Sequence, residues 1–305
     1  MVSLNLSGIE LFINICFLTK VQIFYICAMK FFDNHNHSTF SPDSSASVQS
    51  LIASAMAKGM GGIAITDHYD IDAPSRDQEF FFDPAKQQAE IDRVTLELAP
   101  QIQQSGFQVM KGIEVGLQPA SMEKIKAFTA QYNFDTVIAS IHFVDGTDPY
   151  MGTYYTDKDY RKAFSNTLEV MYSTALEYRD FDILGHYDYV ARYSPYGPGC
   201  RDITMAEFGD WLEPILKFLA HEGKTMEINT KTYKNHKGYV PVLDTAVLKR
   251  FREFGGDALS IGSDAHNPDR IGDEFAKYAA VAKECGFRYL VYFKERKPQY
   301  YKIDL

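Results

Sequence analysis

Cysteine is scarce and scattered in this 305-residue chain: Cys16, Cys27, Cys200 and Cys285 form no CxxC pair. That argues against a disulfide framework and a thiolate zinc site, and it suits reduced thiols in the cytoplasm. Positive charge is in deficit too, with 31 Lys and Arg against 40 Asp and Glu, a formal net charge of −9. General nucleic-acid and membrane-surface binders carry the opposite balance, so neither partner is expected, although a local basic pocket stays compatible. Internal repeats, low-complexity segments and linkers are also missing, which favours one domain of barrel size over several small ones.

Long hydrophobic runs are limited to Ile9–Ala28, which Lys20 interrupts. The residues before it carry no positive charge, Glu10 stands at its start, and no small-residue cleavage site follows, so a signal anchor is the weaker reading. We read residues 1–28 as a non-native or disordered extension, with Met29 the natural start of MKFFDNHNH, and residues 29–305 as a single domain.

What the chain does have is histidine in telling places. Lys30-Phe31-Phe32 reads as a strand running into DNHNHSTFSPD, residues 33–43. Alternate side chains of an extended segment share a face, so His35 and His37 converge while Asn36 points away. Further strands are expected at 62–66, 107–113, 136–141, 181–184, 225–228 and 258–261, separated by amphipathic helices. They end on Asp67-His68, Glu114, His142, Gly185-His186, Asn229 and Ser263-Asp264-Ala265-His266 in turn. An extended tail runs from 288 to 303.

Seven strands alternating with helices imply an α/β protein whose parallel sheet can close as a barrel, and barrel chemistry sits at the carboxyl ends of the strands. Taken singly, each of these residues has a structural reading: His68 as a loop cap, Glu114 as the partner of a lysine, His142 and His186 as hydrogen-bonded barrel residues. Together they do not, because six of the eight histidines follow strands; His221, near a helix end, and His236, in a polar loop, are the exceptions. The candidate ligands are His35, His37, Asp43, His68, Glu114, His142, His186, Asp264 and His266. Imidazoles with carboxylates and no thiolate suit zinc, manganese or iron, and nine ligands suffice for two or three divalent ions.

In this order, DNHNH, ITDH, GIEV, SIHFVDG, GHYDYV and IGSDAH resemble the PHP (polymerase and histidinol phosphatase) superfamily, specifically its histidinol-phosphate phosphatases. The resemblance spans residues 29–303. It implies a distorted (β/α)7 TIM-like barrel, the PHP fold, with three metal ions. His35, His37, Glu114 and Asp264 would hold the first ion, Glu114 would bridge to a second on His142 and His186, and Asp43, His68 and His266 would hold the third. Asp43 replaces the histidine common at that position.

The implied activity is hydrolysis of L-histidinol phosphate, a step of histidine biosynthesis, by attack of a metal-bridging hydroxide, with His35, His37, Glu114 and Asp264 as its catalytic core. Arg192 and Lys234 would bind the phosphate of this small substrate; a lysine stands where the family would have arginine, and it cannot make the bidentate fork. Rival readings are a related phosphoesterase acting on another small phosphate or a nucleotide, a non-catalytic metal-binding module, and an amidohydrolase. The last would use a carbamylated lysine where Glu114 stands. The oligomeric state is not legible.

Overall fold

The computed structural model describes residues 30–73 and 80–305. The 1–28 extension and Arg76 of the loop after His68 lie outside them. Buried apolar runs make the strands: β1 (Phe32–Asp33), β2 (Gly62–Ile65), β3 (His68–Tyr69), β4 (Gln108–Gly116), β5 (Thr136–Ser140), β6 (Ile183–Leu184), β7 (Thr225–Asn229) and β8 (Ala258–Gly262). They pair in parallel in the order β1-β2-β4-β5-β6-β7-β8, with β3 also on β4. Each crossover but the short ones carries helix, as parallel pairing requires.

Local chemistry places the helix starts where the sequence puts them. Ser47 accepts from Ser50 N ahead of Val48–Ala57, and Asp83 accepts from Ala85 N and Lys86 N ahead of Pro84–Glu97. Thr204 caps Met205–His221 through Glu207 N, while the Glu207 carboxylate accepts from Tyr160 Oη and Arg161.

On the edge away from β7, strand β8 has two neighbours, and this is what distorts the barrel. Its first half pairs with β9 (Tyr289–Lys294) at Ala258 and Leu259, while its second half meets the segment after β1. There Asn34 N donates to Ile261 O at 3.2 Å, His37 N to Ala265 O at 2.8 Å, and Asn36 bridges Ala265 in parallel, so the sheet closes. Asn34 Nδ2 sits in the fork, donating to both Ile261 O and Val291 O.

The tail is more than extended chain: β9 and β10 (Lys297–Lys302) form an antiparallel hairpin beneath the barrel. Its two turn residues, Glu295 and Arg296, both have positive φ, 51° and 61°, as a tight primed turn demands, without glycine. Asp135 accepts from Glu295 N at 2.9 Å, and Arg296 pairs with Asp182 at 2.6 Å and Asp180 at 3.0 Å, which holds the turn from outside. Ile138, Ile183, Ala258, Val291 and Phe293 fill the lower interior. The upper interior is left to polar side chains. Among the described residues no helix is long and apolar enough to cross a membrane.

Candidate metal centre

Side chains from the carboxyl ends of seven strands meet at the top of the barrel. The alternation after β1 is realised: His35 and His37 face inward, and Asn36 turns away to donate to Ala64 O at 3.1 Å and Asp33 O at 3.3 Å. Five imidazoles form a closed circuit, with ring centroids 5.0 Å apart for His35–His37, 4.1 Å for His37–His68, 5.2 Å for His68–His142, 5.3 Å for His142–His186 and 5.7 Å for His186–His35. His266 joins at 4.3 Å from His37. His221 and His236 lie outside the circuit, the latter with Nε2 at 3.1 Å from Lys231 O.

Glu114, inside β4 rather than just after it, is the hub. Its Oε2 lies 3.1 Å from His35 Nε2, 3.4 Å from His37 Nε2 and 3.0 Å from His68 Nδ1. Its Oε1 lies 3.2 Å from His142 Nε2 and 3.0 Å from His186 Nε2, and accepts from Ser140 Oγ. Asp264 Oδ1 stands 3.5 Å from His37 Nε2. At the rim, Asp43 Oδ2 is 3.1 Å from His266 Nε2 and 3.6 Å from His68 Nε2. Asp264 reaches inward from a left-handed backbone (φ 50°), a strained state for a non-glycine residue.

The donor set fits metal ions. His35 Nε2, His37 Nε2, His68 Nδ1 and Glu114 Oε2 are buried and have no hydrogen-bond partner, although they face one another closely. Orphaned buried donors and acceptors are costly, and a shared cation satisfies all of them at once. Ligand atoms within 4.8 Å of one another occur in four groups: His37, His68 and His266; His35, His37 and Asp264; His35, Glu114 and His186; His68, Asp70 and His142.

Two carboxylates that sequence reasoning passed over stand behind the imidazoles. Glu227, in β7, accepts from His35 Nδ1 at 2.7 Å and from His186 N at 3.0 Å. Asp70 lies 2.8 Å from His142 Nδ1 and 3.4 Å from His68 Nδ1. A carboxylate on one ring nitrogen fixes the tautomer and leaves the other free to ligate. The available signal for Glu227 was a lone acid in a buried strand, TMEIN.

Electrostatics follow from this packing. Burial pushes the Glu114 carboxyl up, but His35, His142 and His68 outweigh it and hold the group well below the usual range. Asp264 is likewise held down, burial being outweighed by Lys231, His35, His37 and Arg192. Burial would lower His142, yet Asp70 and Glu114 raise it to about 9; His37 and His186 are pushed down by burial.

The expected phosphate-binding cations part company. Arg192 is buried, its Nη1 on Asp264 Oδ2 at 3.0 Å, its Nε on Thr232 Oγ1, and its Nη2 without a partner. Lys234 instead pairs with Asp273 at 3.0 Å and Glu274 at 3.3 Å. The lysine at the ring is Lys231, 3.0 Å from Asp264 Oδ1 and 3.2 Å from His266 Nδ1.

A parallel barrel with imidazoles and carboxylates gathered at the carboxyl ends of its strands is an α/β barrel whose side chains could hold divalent metal ions. The chain belongs to the PHP domain family, whose model matches residues 33–231. It is 30% identical over 269 residues to a probable histidinol-phosphatase of Clostridium acetobutylicum, covering 88% of this chain and 99% of that one. With the histidinol-phosphatase of Lactococcus lactis subsp. lactis it shares 31% over 270 residues, 88% and 96% of the two chains. The crystal structure of the Lactococcus lactis histidinol phosphate phosphatase, complexed with zinc, L-histidinol and phosphate, superposes with a TM-score of 0.79 at 28% identity, covering 89% of this chain and 100% of that one.

Proposed function

We propose that this protein is a metal-dependent phosphomonoesterase that hydrolyses L-histidinol phosphate to L-histidinol and phosphate. The observation that supports the reading is the convergence of five imidazoles on Glu114, with Asp264 joined to them through His37 and the Asp43–His266 pair at the rim beside His68, in a chain similar over nearly its whole length to histidinol-phosphatases.

In this proposal His35, His37, Glu114 and Asp264 hold one ion, Glu114 with His142 and His186 a second, and Asp43, His68 and His266 a third, the ions being zinc, manganese or iron. Bound there, the ions supply Lewis acidity toward the phosphoryl oxygens and an acidified water. Glu114 offers one oxygen to each side of the cluster, so it spaces the first two sites. Glu227 and Asp70 turn the ring nitrogens of His35 and His142 inward. Arg192 and Lys231 place positive charge beside Asp264, where a dianionic phosphate gains charge-assisted hydrogen bonds in an otherwise acidic protein. Cytoplasmic placement belongs to the same proposal, supported by the free thiols of Cys200 and Cys285.

The test is phosphate release by metal-loaded protein from L-histidinol phosphate, glycerol 3-phosphate and a nucleotide phosphodiester in parallel. A kcat/KM at least a hundredfold higher for L-histidinol phosphate is expected. Equal or greater activity on another ester would keep the metal chemistry and discard this substrate.

A further inference from the structure

From two of the cluster imidazoles an aromatic ladder leads out to solvent. The Tyr189 ring lies 5.2 Å from each of His142 and His186, and Tyr193 lies 5.2 Å from Tyr189. Tyr193 is in turn 5.2 Å from Tyr150, edge to face, and 5.8 Å from His236. Three loops build it, those following β5, β6 and β7, so it stands on the same face as the metal cluster. Exposure grows along it: Tyr189 is buried, Tyr193 and His236 are half-buried, and Tyr150 is 59% exposed. The Arg192 guanidinium lies 5.4 Å over the Tyr189 ring, which puts the base of the ladder beside a proposed phosphate contact.

Packing alone accounts for Tyr189, whose hydroxyl donates to Asp148 at 3.0 Å, but not for an outward series ending in a mostly exposed tyrosine. We propose that Tyr193, flanked by Tyr150 and His236, is a specificity-determining residue: it forms the wall on which the imidazole of the leaving alcohol stacks while the phosphoryl group sits at the cluster. The inference rests on the reading of the substrate as L-histidinol phosphate. That molecule joins a dianion to a flat heteroaromatic ring and an ammonium group. Aromatic faces hold flat rings by offset or edge contacts and attract cations through their quadrupole. An aliphatic phosphate ester has no ring to place there.

The test uses the metal-loaded full chain. Tyr193→Ala should raise KM for L-histidinol phosphate about tenfold more than KM for glycerol 3-phosphate, and weaken calorimetric binding of L-histidinol by a similar factor. Tyr193→Phe, which keeps the ring, should retain the wild-type preference, and Tyr150→Ala, at an exposed position, should shift it the same way by a smaller factor. Equal losses on both esters, unchanged L-histidinol binding, or a Phe variant as impaired as the Ala variant would overturn the assignment. Wild-type protein that hydrolyses glycerol 3-phosphate but not L-histidinol phosphate would instead overturn the substrate reading, before any variant is compared.

Discussion

Glu114 is the residue on which the centre turns, since both of its oxygens are committed, to three imidazoles on one side and two on the other. Glu114→Gln removes one negative charge from the middle of the cluster and, if Glu114 bridges two ions as proposed, should lower kcat by at least about a hundredfold at saturating metal, with the melting temperature of the chelated protein little changed. Near-normal turnover would contradict the bridging role. Glu227 acts at one remove: Glu227→Gln should weaken zinc binding about 10–100-fold, read by competition with a chelator, because His35 loses the partner that fixes its tautomer. Unchanged affinity would reduce Glu227 to a packing residue. The gathering of most of the candidate ligands was legible because they lie at or just past the carboxyl ends of strands, where side-chain direction follows from the pleat; Glu114 lies inside β4 and Asp43 in the loop beyond β1. Glu227 and Asp70 were not, for a carboxylate behind an imidazole leaves no spacing signature. The cations show the same limit: Lys231 and Lys234 are three residues apart in one loop, and only the fold shows that Asp273 and Glu274 engage the second.

At the scale of elements, the strands and helices were legible from apolar runs and amphipathic spacing, and the hairpin was not. Residues 288–303 read as extended because their pattern is that of a strand, whereas reversal at Glu295-Arg296 depends on carboxylates far away in sequence. Asp135 carries much of that dependence, accepting from Lys111 N and Glu295 N at 2.9 Å each and from Lys294 at 3.3 Å. Asp135→Ala should therefore destabilise the protein by about 2–4 kcal/mol in urea unfolding while leaving kcat within twofold, since the hairpin lies at the opposite end of the barrel from the cluster. A variant with native stability would show that the turn holds itself. Gly262 illustrates the converse link between strand and site: a Cβ there would overlap Glu227 Oε1 and lie 2.6 Å from His35 Cβ, so the small residue keeps room for the buried pair.

For the whole molecule, the excess of acid over base is partly explained by function. Buried carboxylates and imidazoles at the top of the barrel repel or strand one another unless cations are shared among them, so metal binding at this cluster should be coupled to folding. Ions that bind only the folded chain stabilise it by about 4 kcal/mol at a thousandfold excess over Kd, which a melting curve with and without chelator would register. The coupling depends on pH in a defined direction. In the metal-free protein His142, raised to about 9 by Asp70 and Glu114 against burial, keeps its proton at pH 7, and the stability this adds is present below the ordinary imidazole range and lost as pH rises through 9. Metal must displace that proton, so apparent affinity should rise with pH up to about 9, and calorimetry in buffers of different ionisation enthalpy should detect proton release on zinc binding at pH 7. Release of no proton would show that His142 is already neutral.

In the proposed function, the strand-end cluster holds the ions on which hydrolysis of the phosphate ester depends. The most direct measurement is a titration of chelated protein with Zn²⁺, following bound metal and phosphate release from L-histidinol phosphate in the same samples. Expected are no turnover without metal, turnover that rises only as a second equivalent binds, and loss of both stoichiometry and turnover in Glu114→Gln. Full turnover in the chelated protein, or full turnover with a single equivalent bound, would contradict the proposed function.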